Sequence, residues 1–345
     1  MSEIKHILVI RLSSMGDVAM TVPVLSAFSN SYPEIKLTVL TKKQFAPLFK
    51  DLESVTVLFA DFKNEHKGVF GLYQLSKSVR NLQIDAIADL HNVLRTKVLK
   101  VFLSGFKTAQ IDKGRAEKKA LVSGKTFEPI RTTPQRYSDV FRHLGFDFEI
   151  DPPSFLAPKS LDLDTKKVLG EFSNATVGVA PFAAYDSKTY PLSQMDTVIS
   201  ELQKDSKVLL FGGGSEETKQ LETLASKYAN VCCVAGKFNL TQELDLISNL
   251  KVMLSMDSSN GHMAAMFGVK VVTLWGVTHP FAGFAPFNQI ETNNLLSDRN
   301  VYPKIPTSIY GNRFPDGYEF AIQTIPVKSI VKTVQKTSKY RQNQL

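Results

Sequence analysis

Short apolar runs alternate with longer amphipathic stretches along almost the whole chain. Ile7 to Leu12, Lys36 to Thr41, Val55 to Ala60 and Asp85 to Leu90 read as strands, each bounded by polar or turn residues. Between them Asp17 to Ser29, Lys43 to Lys50, Leu72 to Leu82 and Val93 to Leu103 carry helical spacing, and a further helix runs from Gln135 to Leu144, where Gly145 stops it. The stretch Asp147 to Asp164 is rich in proline and acid and has no periodicity, so it reads as a linker.

The alternation then resumes. Thr176 to Ala180, Lys207 to Phe211, Val231 to Val234, Val252 to Ser255 and Val271 to Leu274 are strand candidates. The helical stretches are Ser193 to Lys204, Ser215 to Tyr228, Thr241 to Asn249, Ser258 to Phe267 and Val327 to Lys339. Strand and helix in strict alternation predict parallel sheets covered by helices. The expected fold class is therefore α/β, with two Rossmann-like domains facing each other across a cleft, over residues 1–155 and 165–325. The last segment, 326–345, is a helix free to pack back on the first domain.

The chain's 345 residues suffice for two cores. No apolar run approaches the roughly 20 residues that span a bilayer. Cys232 and Cys233 are adjacent and give no disulfide framework, and MSEIKH enters a strand without a secretory signal, so a cytoplasmic location is expected. A formal charge of +8 and a pI near 9.2 point to an acidic partner. The basic residues match no nucleic-acid signature. They are densest at Lys113, Arg115, Lys118, Lys119 and Lys125, followed by Arg131 and Arg136, which fits either an anionic ligand or a solvated surface.

Four turns that follow strands carry candidate chemistry. In SSMGD, Gly16 allows a tight bend, and Asp17 opens a helix whose dipole favours its ionised form, as a general base requires. Ser14 and Asp17 also spell a capping box, which needs no function. Lys188 follows the first strand of the second half and is placed to neutralise a diphosphate, or to be an ordinary loop lysine. Gly212, Gly213 and Gly214 precede a helix without forming GxGxxG; Glu216 or Glu217 could hold ribose hydroxyls or simply favour the helix dipole. In DSSNGHMAA, Asp257 is an N-cap by type, and the N–H groups of Ser258 and Ser259 could receive a diphosphate. His262 lies on the same helix. His6, His66, His91, His143, His262 and His279 are dispersed and form no metal-ligand pattern.

The order of these motifs, ending in V-x-LWG-x-THP, resembles glycosyltransferase family 9, the ADP-heptose:lipopolysaccharide heptosyltransferases of GT-B fold. The resemblance covers nearly the whole chain. It implies an inverting transfer of heptose from ADP-heptose to a lipopolysaccharide core or lipid A–Kdo acceptor, without a metal or other cofactor. Asp17 would be the base and Lys188 the diphosphate cation. Ser13, Ser14, Gly16, Glu216, Asp257, Ser258, Ser259 and His262 would line the donor. Arg95, Lys118, Lys119 and Arg136 would meet an anionic phosphorylated glycolipid, with the enzyme peripheral to the cytoplasmic face of the inner membrane and no nucleic acid as partner. The family's Thr-Gly is Ser258-Ser259 here, its tryptophan is Tyr190, and SIYGNRFPDGYEF has no cysteine. Another donor or acceptor, or a non-catalytic nucleotide-sugar-binding protein, is the alternative.

Overall fold

The computed structural model describes residues 4–163, 165–166 and 176–339. The expected linker end, Asp164, and the last residues, 340–345, lie outside them. The described chain forms two compact units.

The first unit holds a parallel sheet of order β3-β2-β1-β4-β5. Its strands are β1 (His6–Ile10), β2 (Lys36–Thr41), β3 (Val55–Phe59), β4 (Ala86–Asp89) and β5 (Lys107–Gln110). β1 is central, in register with β2 through Ile10↔Leu40 and with β4 through Ile10↔Asp89. Both faces of β1 are covered, so its five residues are all buried, as in parallel sheets generally. Leu8 and Ile10 are fully buried with Leu75 and Ile87, each side chain worth about 1.5–3 kcal/mol of transfer free energy.

The expected helix over Asp17 to Ser29 is two helices, α1 (Met15–Ala19) and α2 (Thr21–Ser31). Pro23 explains the break, because it has no N–H for the Ala19 carbonyl and its ring crowds that oxygen. At the break the Thr21 hydroxyl donates to the Val18 carbonyl at 2.7 Å. Lys43–Phe49, with Pro47 inside it, is a 3-10 segment rather than an α-helix. Then come α3 (Gly68–Arg80), α4 (Leu94–Phe102), α5 (Arg115–Val122) and α6 (Thr133–Leu144). Phe28 of α2 stacks on Phe141 of α6 with ring centroids 4.7 Å apart, fixing α6 to this unit.

The domain boundary is not a single cut. The first unit comprises residues 1–113 and 133–156; Gly114–Thr132, which carries α5, belongs to the second unit together with Ala157 onward. The Ile130 N–H donates to the Phe281 carbonyl at 3.0 Å, and the Phe127 ring packs on His279 and Phe281. These contacts take the segment out of the first domain, where the sequence pattern had placed it.

The second unit has a parallel sheet of order β11-β10-β9-β6-β7-β8. Its strands are β6 (Thr176–Ala180), β7 (Lys207–Leu210), β8 (Val231–Cys233), β9 (Val252–Met256), β10 (Lys270–Trp275) and β11 (Asn294–Leu296). Its helices are α7 (Leu192–Leu202), α8 (Ser215–Ala225), α9 (Leu240–Ser248), α10 (Ser259–Met266) and α11 (Val327–Lys339). The sequence had offered α11 to the first domain. Instead Ile330 and Val334, four residues apart on one helical face, are fully buried in the core of the second unit beside Val198 and Ile199 of α7.

Candidate functional site

Each sheet has one place where strand order reverses, between β1 and β4 in the first unit and between β6 and β9 in the second. Ligands of open parallel sheets bind beyond the carboxyl ends of the strands at such points, where adjacent loops part. The charged turns of this chain lie at both.

In the first unit, the Asp17 Oδ2 accepts the Ser14 N–H at 3.2 Å and the Ser14 hydroxyl at 2.7 Å. The Arg11 guanidinium lies 2.7 Å from the same oxygen and donates from its other arm to the Leu90 carbonyl at 2.8 Å. Arg11 also lies over the Tyr137 ring, whose hydroxyl donates to the Asp17 carbonyl at 3.2 Å. The expected Ser14–Asp17 pairing is therefore present, and a buried cation joins it. Sequence reasoning did not single out Arg11, since the partner that fixes it is far along the chain.

The turn after β4 was missed as well. Asp89 is fully buried, and its Oδ1 accepts the N–H groups of His91 at 3.0 Å and Asn92 at 2.8 Å. Its Oδ2 pairs with Lys100 at 2.8 Å. Burial, then the charges of Arg11 and Lys113, push the pKa of His91 down to about 4 against the pull of Asp89 and Asp17. The polar residues Asp89, His91 and Asn92 closing an apolar strand were the available signal.

In the second unit Lys188 ends a 3-10 turn, Asp186–Lys188, that follows β6. It is buried, not a solvated loop residue. Its ammonium donates to the Asp257 carbonyl at 2.8 Å and to Asp257 Oδ2 at 3.1 Å, and the Thr278 hydroxyl donates to that same oxygen at 3.0 Å. The turn is held tightly from below. A Cβ on Gly276 would stand 2.1 Å from the Ser187 carbonyl oxygen, and the Ser187 hydroxyl donates to the Gly311 carbonyl at 2.6 Å. Gly311, at φ +85°, lies against the Lys188 stem, so both glycines are needed there.

The N-cap of α10 is Ser258, in extended conformation, rather than Asp257 as its residue type suggested. The Asp257 carboxylate is taken by Lys188 and Thr278 instead. The Ser258 hydroxyl lies 3.1 Å from that of Ser255, Ser259 is the first helical residue, and His262 is buried one turn on. In the glycine turn, Glu217 accepts the Gly213 N–H at 2.8 Å and so braces the loop, whereas Glu216 is exposed and meets Gln220 at 3.3 Å.

The four acceptor-side cations are divided between the two units. Arg95 and Arg136 belong to the first unit, Lys118 and Lys119 to α5 in the second. Arg95 lies over the Phe62 ring and Lys118 over the Phe284 ring, both at 4.3 Å, while Lys119 is exposed. Arg136 is buried and donates to the Asp112 carbonyl at 3.4 Å. The second unit also holds a cavity of about 750 Å³ lined by Phe127, His279, Phe281, Leu296 and Arg299. Among the described residues no cluster of His, Cys, Asp or Glu is arranged to hold a metal ion, and no helix is long and apolar enough to cross a membrane.

Comparison with known proteins agrees with this architecture. The chain is similar to the lipopolysaccharide core heptosyltransferase OpsX of Haemophilus influenzae, with 24% identity over 305 residues and 86% of each chain covered. It superposes on the glycosyl transferase family 9 structure from Veillonella parvula with a TM-score of 0.77 at 18% identity, covering 98% of both chains. With the ADP-heptose lps heptosyltransferase II of E. coli the TM-score is 0.68 at 17% identity, over 96% of this chain and 98% of that one. These structural likenesses show the GT-B fold. The model of glycosyltransferase family 9 (heptosyltransferase) matches residues 72–309. That match spans well over half of the sequence, and the protein belongs to glycosyltransferase family 9.

Proposed function

We propose that this chain moves a heptose from ADP-heptose to a lipopolysaccharide-core acceptor, inverting the anomeric carbon. The observation that carries the reading is the charged turn at each switch point of a family 9 chain: a carboxylate on the first sheet, a lysine and a helix amino end on the second. The acceptor hydroxyl oxygen attacks the anomeric carbon, the bond to the diphosphate breaks, and ADP leaves with the electron pair. Asp17 takes the hydroxyl proton.

Lys188 meets the charge that grows on the departing diphosphate. Two of its three N–H donors go to Asp257, and the third remains for a phosphate oxygen. The first N–H groups of α10, after Ser258, supply the positive helix end, with Ser259 and His262 on the same turn. Asp257, its charge balanced by Lys188 and its Oδ2 held by the Thr278 hydroxyl, is oriented toward the donor sugar. Glu216 reaches the ribose, while Glu217 holds the glycine loop. Ser13, Ser14 and Gly16 shape the turn around the base. Arg95, Lys118 and Lys119 attract a phosphorylated glycolipid at the cytoplasmic face of the inner membrane.

The test is turnover of ADP-heptose with a deacylated lipid A–Kdo saccharide, following ADP release and the anomeric configuration of the product by NMR. Thermal shift with ADP, UDP, GDP and CMP in parallel should single out ADP. No transfer from ADP-heptose, or a clear preference for another nucleotide, overturns the assignment.

A further inference from the structure

We infer that His91 is a further acceptor-side residue, a ring held beside Asp17 that hydrogen-bonds a hydroxyl of the acceptor sugar; this rests on the transferase reading above. The placement begins with strand register. Ile10 pairs with Asp89, so the turns leaving β1 and β4 emerge side by side. Arg11 then ties them together, one arm on the Leu90 carbonyl and the other on Asp17. The residue after Leu90 is therefore held close to the base by a single guanidinium.

The backbone of this turn is fixed from several directions. Asp89 accepts from the N–H groups of His91 and Asn92, Lys100 holds the far oxygen of Asp89, and the Asn92 amide donates to the Ile111 carbonyl at 3.1 Å. Asn92 adopts a left-handed conformation, φ 45°, which turns the chain at that point. The ring of His91, by contrast, makes no hydrogen bond among the described residues, and its Nδ1 is buried without a partner. Fastening the turn does not require an imidazole. An unsatisfied buried nitrogen is destabilising, so its presence calls for a reason outside the fold, and a ligand hydroxyl supplies one.

The electrostatics select the ligand class. The groups acting on His91 are Arg11 from β1, Asp17 from α1, Lys113 from the loop after β5 and Asp89 of its own strand, and with burial they keep the ring uncharged at neutral pH. A neutral imidazole has one donor and one acceptor. A sugar hydroxyl, which also donates and accepts, matches it; a phosphate, which wants cations, does not.

The experiment uses the full-length protein with His91→Leu and His91→Gln, the deacylated lipid A–Kdo saccharide as acceptor, and ADP-heptose as donor. His91→Leu should raise the acceptor KM roughly tenfold, as for one lost hydrogen bond, with ADP affinity unchanged and the melting temperature no lower than that of the wild type. His91→Gln keeps a polar group at that reach and should recover most of the loss. Acceptor KM in the wild type should be flat between pH 6 and 8, since the ring does not titrate there. A wild-type KM for His91→Leu overturns the inference while leaving the transferase reading intact. So does an acceptor KM that titrates near pH 6.5, or equal KM losses in both variants. Absence of transfer by the wild-type protein overturns both.

Discussion

Removing Lys188 tests two jobs at once, and the structure gives each a magnitude. In Lys188→Met the stem is retained and the ammonium is lost. Lys188 and Asp257 side chains are 10% and 11% exposed, so the variant leaves a nearly buried carboxylate with, among the described residues, only the Thr278 hydroxyl as side-chain donor. Breaking a fully buried pair by deleting one partner costs about 3–5 kcal/mol. The slight exposure and the remaining Thr278 bond bring this to about 2–3 kcal/mol. For a unit of this size that lowers Tm by roughly 4–12 °C. The double variant Lys188→Met/Asp257→Asn buries no unpaired charge and should recover at least about 1 kcal/mol. Donor chemistry should not recover with it: ADP binding and kcat stay low in both, because the diphosphate has lost its cation. Calorimetry, ADP titration and single-turnover rates on the same preparations separate the two effects. A single variant that melts with the wild type refutes the buried pair. A double variant with wild-type ADP affinity and kcat refutes the diphosphate role.

Asp17→Asn keeps the side chain's size but cannot take a proton; kcat should fall roughly 10²–10⁴-fold with ADP affinity intact, and a near wild-type rate would end its assignment as base. Gly276→Ala places a methyl 2.1 Å from the Ser187 carbonyl oxygen, so the Lys188 turn must shift; ADP affinity and Tm should drop together, and an unchanged ADP affinity counts against the turn as a donor element. Burial pushes the pKa of Glu243 on α9 up to about 7 from 4.5, so the folded state holds its proton more tightly than the unfolded chain does. Stability is therefore lost as pH rises from about 4.5 to 7. Glu243→Gln should raise stability at pH 8 by about 1–2 kcal/mol after allowance for partial exposure, and hardly at all at pH 4.5. Equal gains at both values would show that the gain does not come from this proton.

The sheet interiors were legible because strands covered on both faces are continuous apolar runs: HILVI and VMLSM need no context. The edge strands were not. β5, KTAQ, buries little beyond Ala109, and β11 is three residues long, so neither has a pattern to read. The helix α5 lies in what reads as a basic loop. At the site, the short-range pairings were visible, as with Ser14 and Asp17, which are three residues apart. The long-range ones were not: Asp257 looks like a cap until Lys188, distant in sequence, claims its carboxylate, and Arg11 gains meaning only from Leu90. Types and turns could be read locally, but the partners that decide each side chain's work are set by the sheet.

The segment Gly114–Thr132 bears on how the protein is made. Its Ile130 leaves the ribosome about 150 residues before the Phe281 it bonds, which at 5–20 residues per second is on the order of ten seconds or more. In that interval α6 emerges and the first unit can close, with the strap looped out of it and no surface yet to receive it. The second unit then finishes on a piece of chain delivered early. The two units are thus interleaved in synthesis, and exchange of either one between relatives must carry the strap with the later partner. A cut near Leu156 alone would separate Phe127 and Arg299, which stack at 3.5 Å, onto different fragments.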